Sequence, residues 1–109
     1  MQRYKVWLAA KSDKPKVIIG TRSAVFLPIN NLKTIFFDEE HDQSYRQQDG
    51  FRYDARKIIE FLHKDRAQIN LASATPSLST LNKAYAGNIG ISKLTKRISK
   101  TQKPQIEVV

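Results

Sequence analysis

The string Asp38-Glu39-Glu40-His41 stands directly after the apolar run Thr34-Ile35-Phe36-Phe37. β-Branched and aromatic residues that run straight into acids predict a buried strand, which delivers carboxylates to its C-terminal edge. That edge is where ligands bind in an open α/β sheet. An aspartate there can hold Mg²⁺, directly or through water, and the metal in turn bridges nucleotide phosphates. The adjacent glutamate can orient a water and take its proton during attack on the terminal phosphate. Asp38 is therefore the candidate metal ligand and Glu39 the candidate base. The competing reading is an acidic loop that is only solvated.

Two further strings occupy equivalent places. Gly20-Thr21-Arg22-Ser23-Ala24 follows the run Val17-Ile18-Ile19. Glycine permits a tight exit, and hydroxyls, a guanidinium and the amides of a helix start can grip phosphate oxygens. An ordinary strand–helix turn capped by Thr21 or Ser23 fits the same residues. Ser73-Ala74-Thr75-Pro76-Ser77 follows the run Gln68-Ile69-Asn70-Leu71-Ala72. Its hydroxyls can hydrogen-bond His41 or Asp38 and so sense whether a nucleotide is bound, although Thr75 and Pro76 are also what any helix start would choose. Between them, the stretch from Tyr45 to Tyr53 interleaves Tyr45, Phe51 and Tyr53 with Arg46 and Arg52, without helical or strand period. Aromatic faces stack on unpaired bases while arginines contact phosphates. Phe51 and Tyr53 packed on the core is the alternative. Trp7 and His63 have no partner constellation and read as packing or surface residues.

The elements that must position these residues follow from periodicity. Val17–Gly20, Thr34–Phe37 and Gln68–Ser73 read as strands, and continuous apolar runs suit parallel strands covered on both faces. Ala55, Ile58, Ile59 and Leu62 recur at helical spacing behind a capping Asp54, which predicts a helix over 54–66. Thr75 as cap, Pro76 in the first helical position and Leu78, Leu81 and Tyr85 on one face predict another that ends before Gly87. A first helix around Tyr4–Ala10 has poorer periodicity. Strand and helix alternation defines an α/β fold with a parallel sheet flanked by helices.

At 109 residues the chain allows one domain, and 40% hydrophobic with 27% charged residues reads as globular. The 19 Lys and Arg against 10 Asp and Glu give a net charge of +9, which suggests a polyanionic partner, nucleic acid or an anionic membrane surface. Absence of cysteine excludes disulfides, iron–sulfur clusters and thiolate zinc sites. No apolar run reaches the roughly 18 residues of a spanning helix, and the N-terminus lacks the apolar core of a signal peptide. A soluble, intracellular chain is expected. Residues 92–109 carry Lys93, Lys96, Arg97, Lys100 and Lys103 and read as a basic linker, with Ile106-Glu107-Val108-Val109 as the start of another strand.

Taken in order, Gly20-Thr21-Arg22-Ser23-Ala24, Asp38-Glu39-Glu40-His41 and Ser73-Ala74-Thr75-Pro76-Ser77 resemble the first motor lobe of superfamily 2 DNA helicases, and among these the replication-restart helicases. The match runs through Ile19 to Pro28, Asn31-Leu32 and Asp38 to Asp42 and extends over nearly the whole chain. A relative such as a RecG-type fork helicase is the other member of the superfamily to consider. The resemblance implies a partial RecA-like motor lobe over 1–91 and a linker toward a second lobe over 92–109. It implies ATP and Mg²⁺ as cofactors, with Asp38 holding the metal, Glu39 activating the hydrolytic water, and His41, Ser73 and Thr75 coupling hydrolysis to movement. Thr21, Arg22 and Ser23 would contact the backbone of the tracked DNA strand. Tyr45, Arg46, Phe51, Arg52 and Tyr53 match an aromatic-rich loop that senses DNA. Family members unwind DNA 3′ to 5′ at stalled forks and load the replicative helicase. Single-stranded and forked DNA, primosome and other replication-restart proteins are thus the implied partners, in a bacterial cytoplasm.

The departures are specific. No Gly-x-x-x-x-Gly-Lys-[Ser/Thr] string occurs in the sequence, nor do the family's zinc-binding cysteines. Asp54 and Lys57 stand where histidine and aspartate are expected. An internal fragment of the helicase, inactive as an ATPase by itself, is the resulting expectation. A non-catalytic single-stranded DNA-binding module and an inactive remnant are the alternatives.

Overall fold

The computed structural model describes residues 2–14 and 16–96. Helix α1 spans Gln2–Lys11 and β1 spans Thr34–Phe37. A short hairpin of β2 (Arg46–Gln47) and β3 (Tyr53–Asp54) comes next, then α2 (Ala55–His63), β4 (Gln68–Leu71) and α3 (Leu78–Tyr85). Two 3-10 turns, Arg22–Phe26 and Gln43–Tyr45, precede β1 and the hairpin respectively. The described residues divide into two compact units, one up to Leu78 and one from Ser79.

In the first unit β1 and β4 pair in parallel, Ile35 opposite Ile69 and Phe37 opposite Leu71, with α2 on the connection between them. Parallel pairing requires such a crossover, and the fold is α/β with a parallel sheet flanked by helices. Period-two alternation puts Ile35 and Phe37 on one face. There Phe37, Ala55 and Ile59 are buried, with Val25, Ile35, Tyr45, Tyr53, Ile69 and Leu71 packed around them. Burial of Phe37 and Ile59 contributes about 1.5–3 kcal/mol each.

Helix α2 forms where the spacing of Ala55 and Ile59 predicts it. Asp54 caps it by accepting from the Arg56 backbone N–H at 3.0 Å. It ends at His63, whose carbonyl accepts from both Arg66 and Ala67, three residues short of the predicted end. Helix α1 forms despite its weak periodicity because its C-terminal carbonyls are satisfied: Lys16 Nζ donates to Ala9 O at 2.7 Å and to Ala10 O at 3.1 Å, and just past the helix to Ser12 O.

Four expectations are corrected. Val17–Gly20 is not a strand, and Val17 and Ile19 are 90% and 94% exposed, because no neighbour among the described residues offers that segment a ladder. The sheet is covered on one face rather than two, since Phe36, between the two inward residues, is 73% exposed. The loop from Tyr45 to Tyr53 is not aperiodic but closes a two-residue antiparallel ladder, Arg46 opposite Asp54 and Gln47 opposite Tyr53. Helix α3 starts at Leu78, so Thr75 and Pro76 precede it instead of capping it.

In the second unit α3 stops at a left-handed Gly87 (φ 76°), whose N–H donates to Ala84 O at 3.0 Å while the Asn88 N–H donates to Lys83 O at 2.9 Å. Residues 92–96 form neither helix nor strand, and the rest of the basic segment with Ile106–Val109 lies outside the described residues.

Candidate nucleotide and nucleic-acid site

The turn after β1 is tied to the segment after β4 by backbone first. Ala72 N–H donates to Phe37 O at 2.8 Å and Glu40 N–H to Ala72 O at 2.9 Å, which extends the parallel ladder past both strands. Asp38, Glu39, Glu40 and His41 are thereby fixed beside Ser73–Ser77 at the C-terminal end of the sheet. Side chains add three links. His41 Nδ1 and Ser73 Oγ are hydrogen-bonded at 2.6 Å, and the same Oγ accepts the Thr75 N–H at 3.0 Å. The Glu40 carboxylate accepts the Ser77 N–H at 2.6 Å and the Ser77 hydroxyl at 3.2 Å.

Asp38 and Glu39 stay exposed. Asp38 Oδ1 accepts the Glu39 N–H at 3.1 Å, and the Glu39 carboxylate lies 3.5 Å from His41 Nδ1. Glu39 holds φ at 47°, the left-handed region that disfavours a side chain, so the turn bends sharply at that residue. Among the described residues no three His, Asp or Glu side chains converge as a metal cage. A magnesium ion in nucleotide chemistry needs only one or two carboxylates beside phosphates and water, and the exposed Asp38 fits that donor set.

The Gly20–Ala24 segment turns in a 3-10 helix over Arg22–Phe26. Gly20 is required there, since a Cβ on it would lie 2.6 Å from that of Ala24. Thr21 precedes the turn without a side-chain capping bond, and Ser23 is exposed. The Arg22 guanidinium is not free in solvent: Nη1 donates to Ser44 O at 3.2 Å and Arg46 O at 3.4 Å. Gly20, Thr21, Arg22, Ser44 and Tyr45 line an open cavity of about 430 Å³. Thr21, Arg22 and Tyr45 are thus brought together, Ser23 stands outside that lining, and Phe51 and Arg52 are exposed in the connection between β2 and β3.

The aromatic residues divide by environment. Tyr45 packs edge-on against Phe37 (ring centroids 5.2 Å apart) and its hydroxyl donates to Asp38 O at 2.5 Å. Burial, with the carboxylates of Asp38 and Asp42, pushes the Tyr45 hydroxyl above its ordinary pKa. Tyr53 packs edge-on against Phe26 at 5.0 Å, while Phe51 is 77% exposed.

A charged cluster that the sequence patterns do not reveal sits behind these residues. Arg56 Nε and Nη2 donate to the two oxygens of Asp54 at 2.9 and 2.6 Å, and Nη1 donates to Glu40 O and lies 4.0 Å from Glu40 Oε2. Arg46 Nε reaches Asp54 from β2 at 3.2 Å. Burial pushes the Asp54 carboxyl up, but the bonds and charge of Arg56, with Arg46, outweigh it and hold the pKa at about 2. The signal available in sequence was Asp54 as a helix cap. Nothing in the spacing assigned a role to Glu40 or Arg56.

Parallel strands with flanking helices, and the Asp38–His41 and Ser73–Ser77 segments together at the C-terminal end of the sheet, define a partial RecA-like motor lobe. A family model for the DEAD/DEAH box helicases matches residues 1–84, and the chain belongs to that family. It is 46% identical over 100 residues to the replication restart protein PriA of Rickettsia conorii, which covers 90% of this chain and 15% of the relative. To the PriA of Haemophilus influenzae it is 44% identical over 97 residues (88% of this chain, 13% of the relative). The PriA of Bacillus subtilis is 31% identical over 109 residues, 99% of this chain and 14% of the relative. The chain therefore spans about one-seventh of these relatives' length. Among the described residues no helix is long and apolar enough to cross a membrane.

Proposed function

We propose that this chain carries the hydrolysis and coupling motifs of an ATP-dependent 3′ to 5′ DNA helicase acting in replication restart. The observation that carries the reading is the bonding of the Asp38–His41 turn into Ser73–Ser77, through His41 to Ser73 and Glu40 to Ser77. A carboxylate turn fastened to a hydroxyl turn lets a change at one move the other, which is what coupling requires.

Each residue has a role in this reading. Asp38 would hold Mg²⁺, which when bound with ATP neutralises charge on the phosphates. Glu39 orients and deprotonates the attacking water, and His41, Ser73 and Thr75 pass the change onward. Thr21, Arg22 and Ser23 face the DNA backbone, and Tyr45, Arg46, Phe51, Arg52 and Tyr53 form the strand-sensing loop. Arg22 reaches that role from a position where it also braces the loop backbone. Single-stranded and forked DNA and primosome proteins are the partners, in a bacterial cytoplasm. Because the sequence holds no Gly-x-x-x-x-Gly-Lys-[Ser/Thr] string, the chain by itself is expected not to turn over ATP.

The test is ATP and oligothymidylate binding by the purified chain at two salt concentrations, with circular dichroism to establish folding. DNA binding that weakens steeply with salt, without ATP turnover above a Glu39→Gln control, is expected. Folded protein that ignores DNA at both salt concentrations overturns the DNA-contacting role. Turnover above the control overturns the dependence on a phosphate loop.

A further inference from the structure

From α2, the Arg56 side chain touches both Tyr45 of the strand-sensing loop and the turn bearing the carboxylates. Its guanidinium donates to the Glu40 carbonyl, approaches the Glu40 carboxylate, forks onto Asp54 and lies 5.6 Å from the Tyr45 ring centroid. Glu40 is 2% exposed and in turn holds the Ser77 N–H and hydroxyl. Asp54 also takes Arg46. A planar fork with five donors suits such a junction, whereas an ammonium cannot hold the carboxylate bidentately, bond the carbonyl and face the ring at once.

We propose that Arg56 is a positioning residue that transmits displacement of the Tyr45–Tyr53 loop to the Glu40–Ser77 link, and so to the turn carrying Asp38 and Glu39. The inference rests on the reading of that loop as the DNA-sensing element, which supplies the displacement. Tyr45 also reaches the turn directly, its hydroxyl donating to the Asp38 carbonyl just beyond β1. The path through Arg56 and the Glu40 carboxylate leads on to Ser77.

The experiment is amide and arginine side-chain nuclear magnetic resonance on the 109-residue chain. Tyr45→Phe perturbs the loop without any DNA. It is expected to shift the Arg56 Nε–H and the Ser77 amide in the parent chain. In an Arg56→Lys background the Ser77 response should fall to that of residues remote from the site, while the amides of α2 keep their dispersion. An undiminished Ser77 response in that background overturns the proposal, as does no Ser77 response in the parent. If Arg56→Lys unfolds the chain, the parent decides: Arg56 and Ser77 must respond to Tyr45→Phe together, and Ser77 moving without Arg56 overturns the relay. A separate titration with oligothymidylate keeps the two readings apart. Loop signals unmoved by DNA would remove the sensing role, whereas the Tyr45→Phe arm judges Arg56 on its own.

Discussion

The Glu40 carboxylate accepts the Ser77 backbone N–H at 2.6 Å, so a fully buried acid joins the segments that follow β1 and β4. Its neighbours Asp38 and Glu39 are exposed, and Glu40 therefore holds the turn that presents them. The third position of the Asp-Glu-Glu-His string is structural while the first two are available for chemistry.

Glu40→Ala removes acceptors from Ser77 and leaves Arg56 short of a countercharge in a half-buried setting. A loss of about 2–4 kcal/mol is expected. Urea unfolding followed by circular dichroism measures it, with an unchanged m-value marking a true stability change. Glu40→Gln, which keeps shape and one acceptor oxygen, should lose less. A cost under about 1 kcal/mol for the alanine variant would contradict the structural role.

Glu39 occupies the left-handed region at φ 47°. Glycine adopts that conformation freely, so Glu39→Gly is expected to raise stability by about 0.5–1 kcal/mol, while Glu39→Ala is not. A position whose native residue costs stability is one where side-chain chemistry outweighs backbone comfort. Thermal unfolding of the two variants side by side checks this. If glycine is no better than alanine, the turn relaxes in solution and the bend is not held.

Much of this was legible before the structure. Asp54 and the Ala55/Ile59 spacing mark α2, and the runs at Thr34 and Gln68 mark the parallel pair, because cap chemistry and apolar periodicity are local properties. The bond between His41 and Ser73 follows from two strand ends being neighbours. Val17–Ile19 misled because a β-branched run states a preference for extended backbone but not the existence of a partner. The hairpin at Arg46 and Asp54 was hidden by its two-residue length, too short for any period. Arg56 and Glu40 were invisible because a contact sixteen residues apart depends on how α2 settles against the turn, which no local pattern encodes.

The pH dependence of stability should carry the Asp54 signature. Its pKa is depressed in the folded chain to about 2, below the usual aspartate value near 3.9. Stability from this group is therefore present above about pH 4 and is lost as the pH falls through about 2. Asp54→Asn should flatten that acid limb by on the order of 1 kcal/mol once solvent screening is allowed for. It should also lower stability at neutral pH, because Arg46 and Arg56 lose their shared carboxylate. Urea midpoints at pH 7, 4 and 2.5 on both proteins decide the matter. Parallel curves over that range would mean that the carboxylate is not held by the arginines.

Gly20 tests whether the first motif is a built turn or a passing loop. A Cβ at this position would meet the Ala24 Cβ at 2.6 Å, and the Ala24 N–H donates to Thr21 O at 2.9 Å, so the turn has little room to move. Gly20→Ala is expected to cost about 1–3 kcal/mol. The same displacement should disturb Arg22, whose guanidinium braces Ser44 and Arg46, and so weaken oligothymidylate binding. Ala24→Gly removes the opposing methyl and, alone, should cost about 0.5–1 kcal/mol through backbone entropy. Combined, the two substitutions should be less damaging than their sum, because Ala24→Gly removes the methyl that a Cβ at position 20 would strike. Strict additivity in unfolding free energy would show that the glycine answers to something other than Ala24.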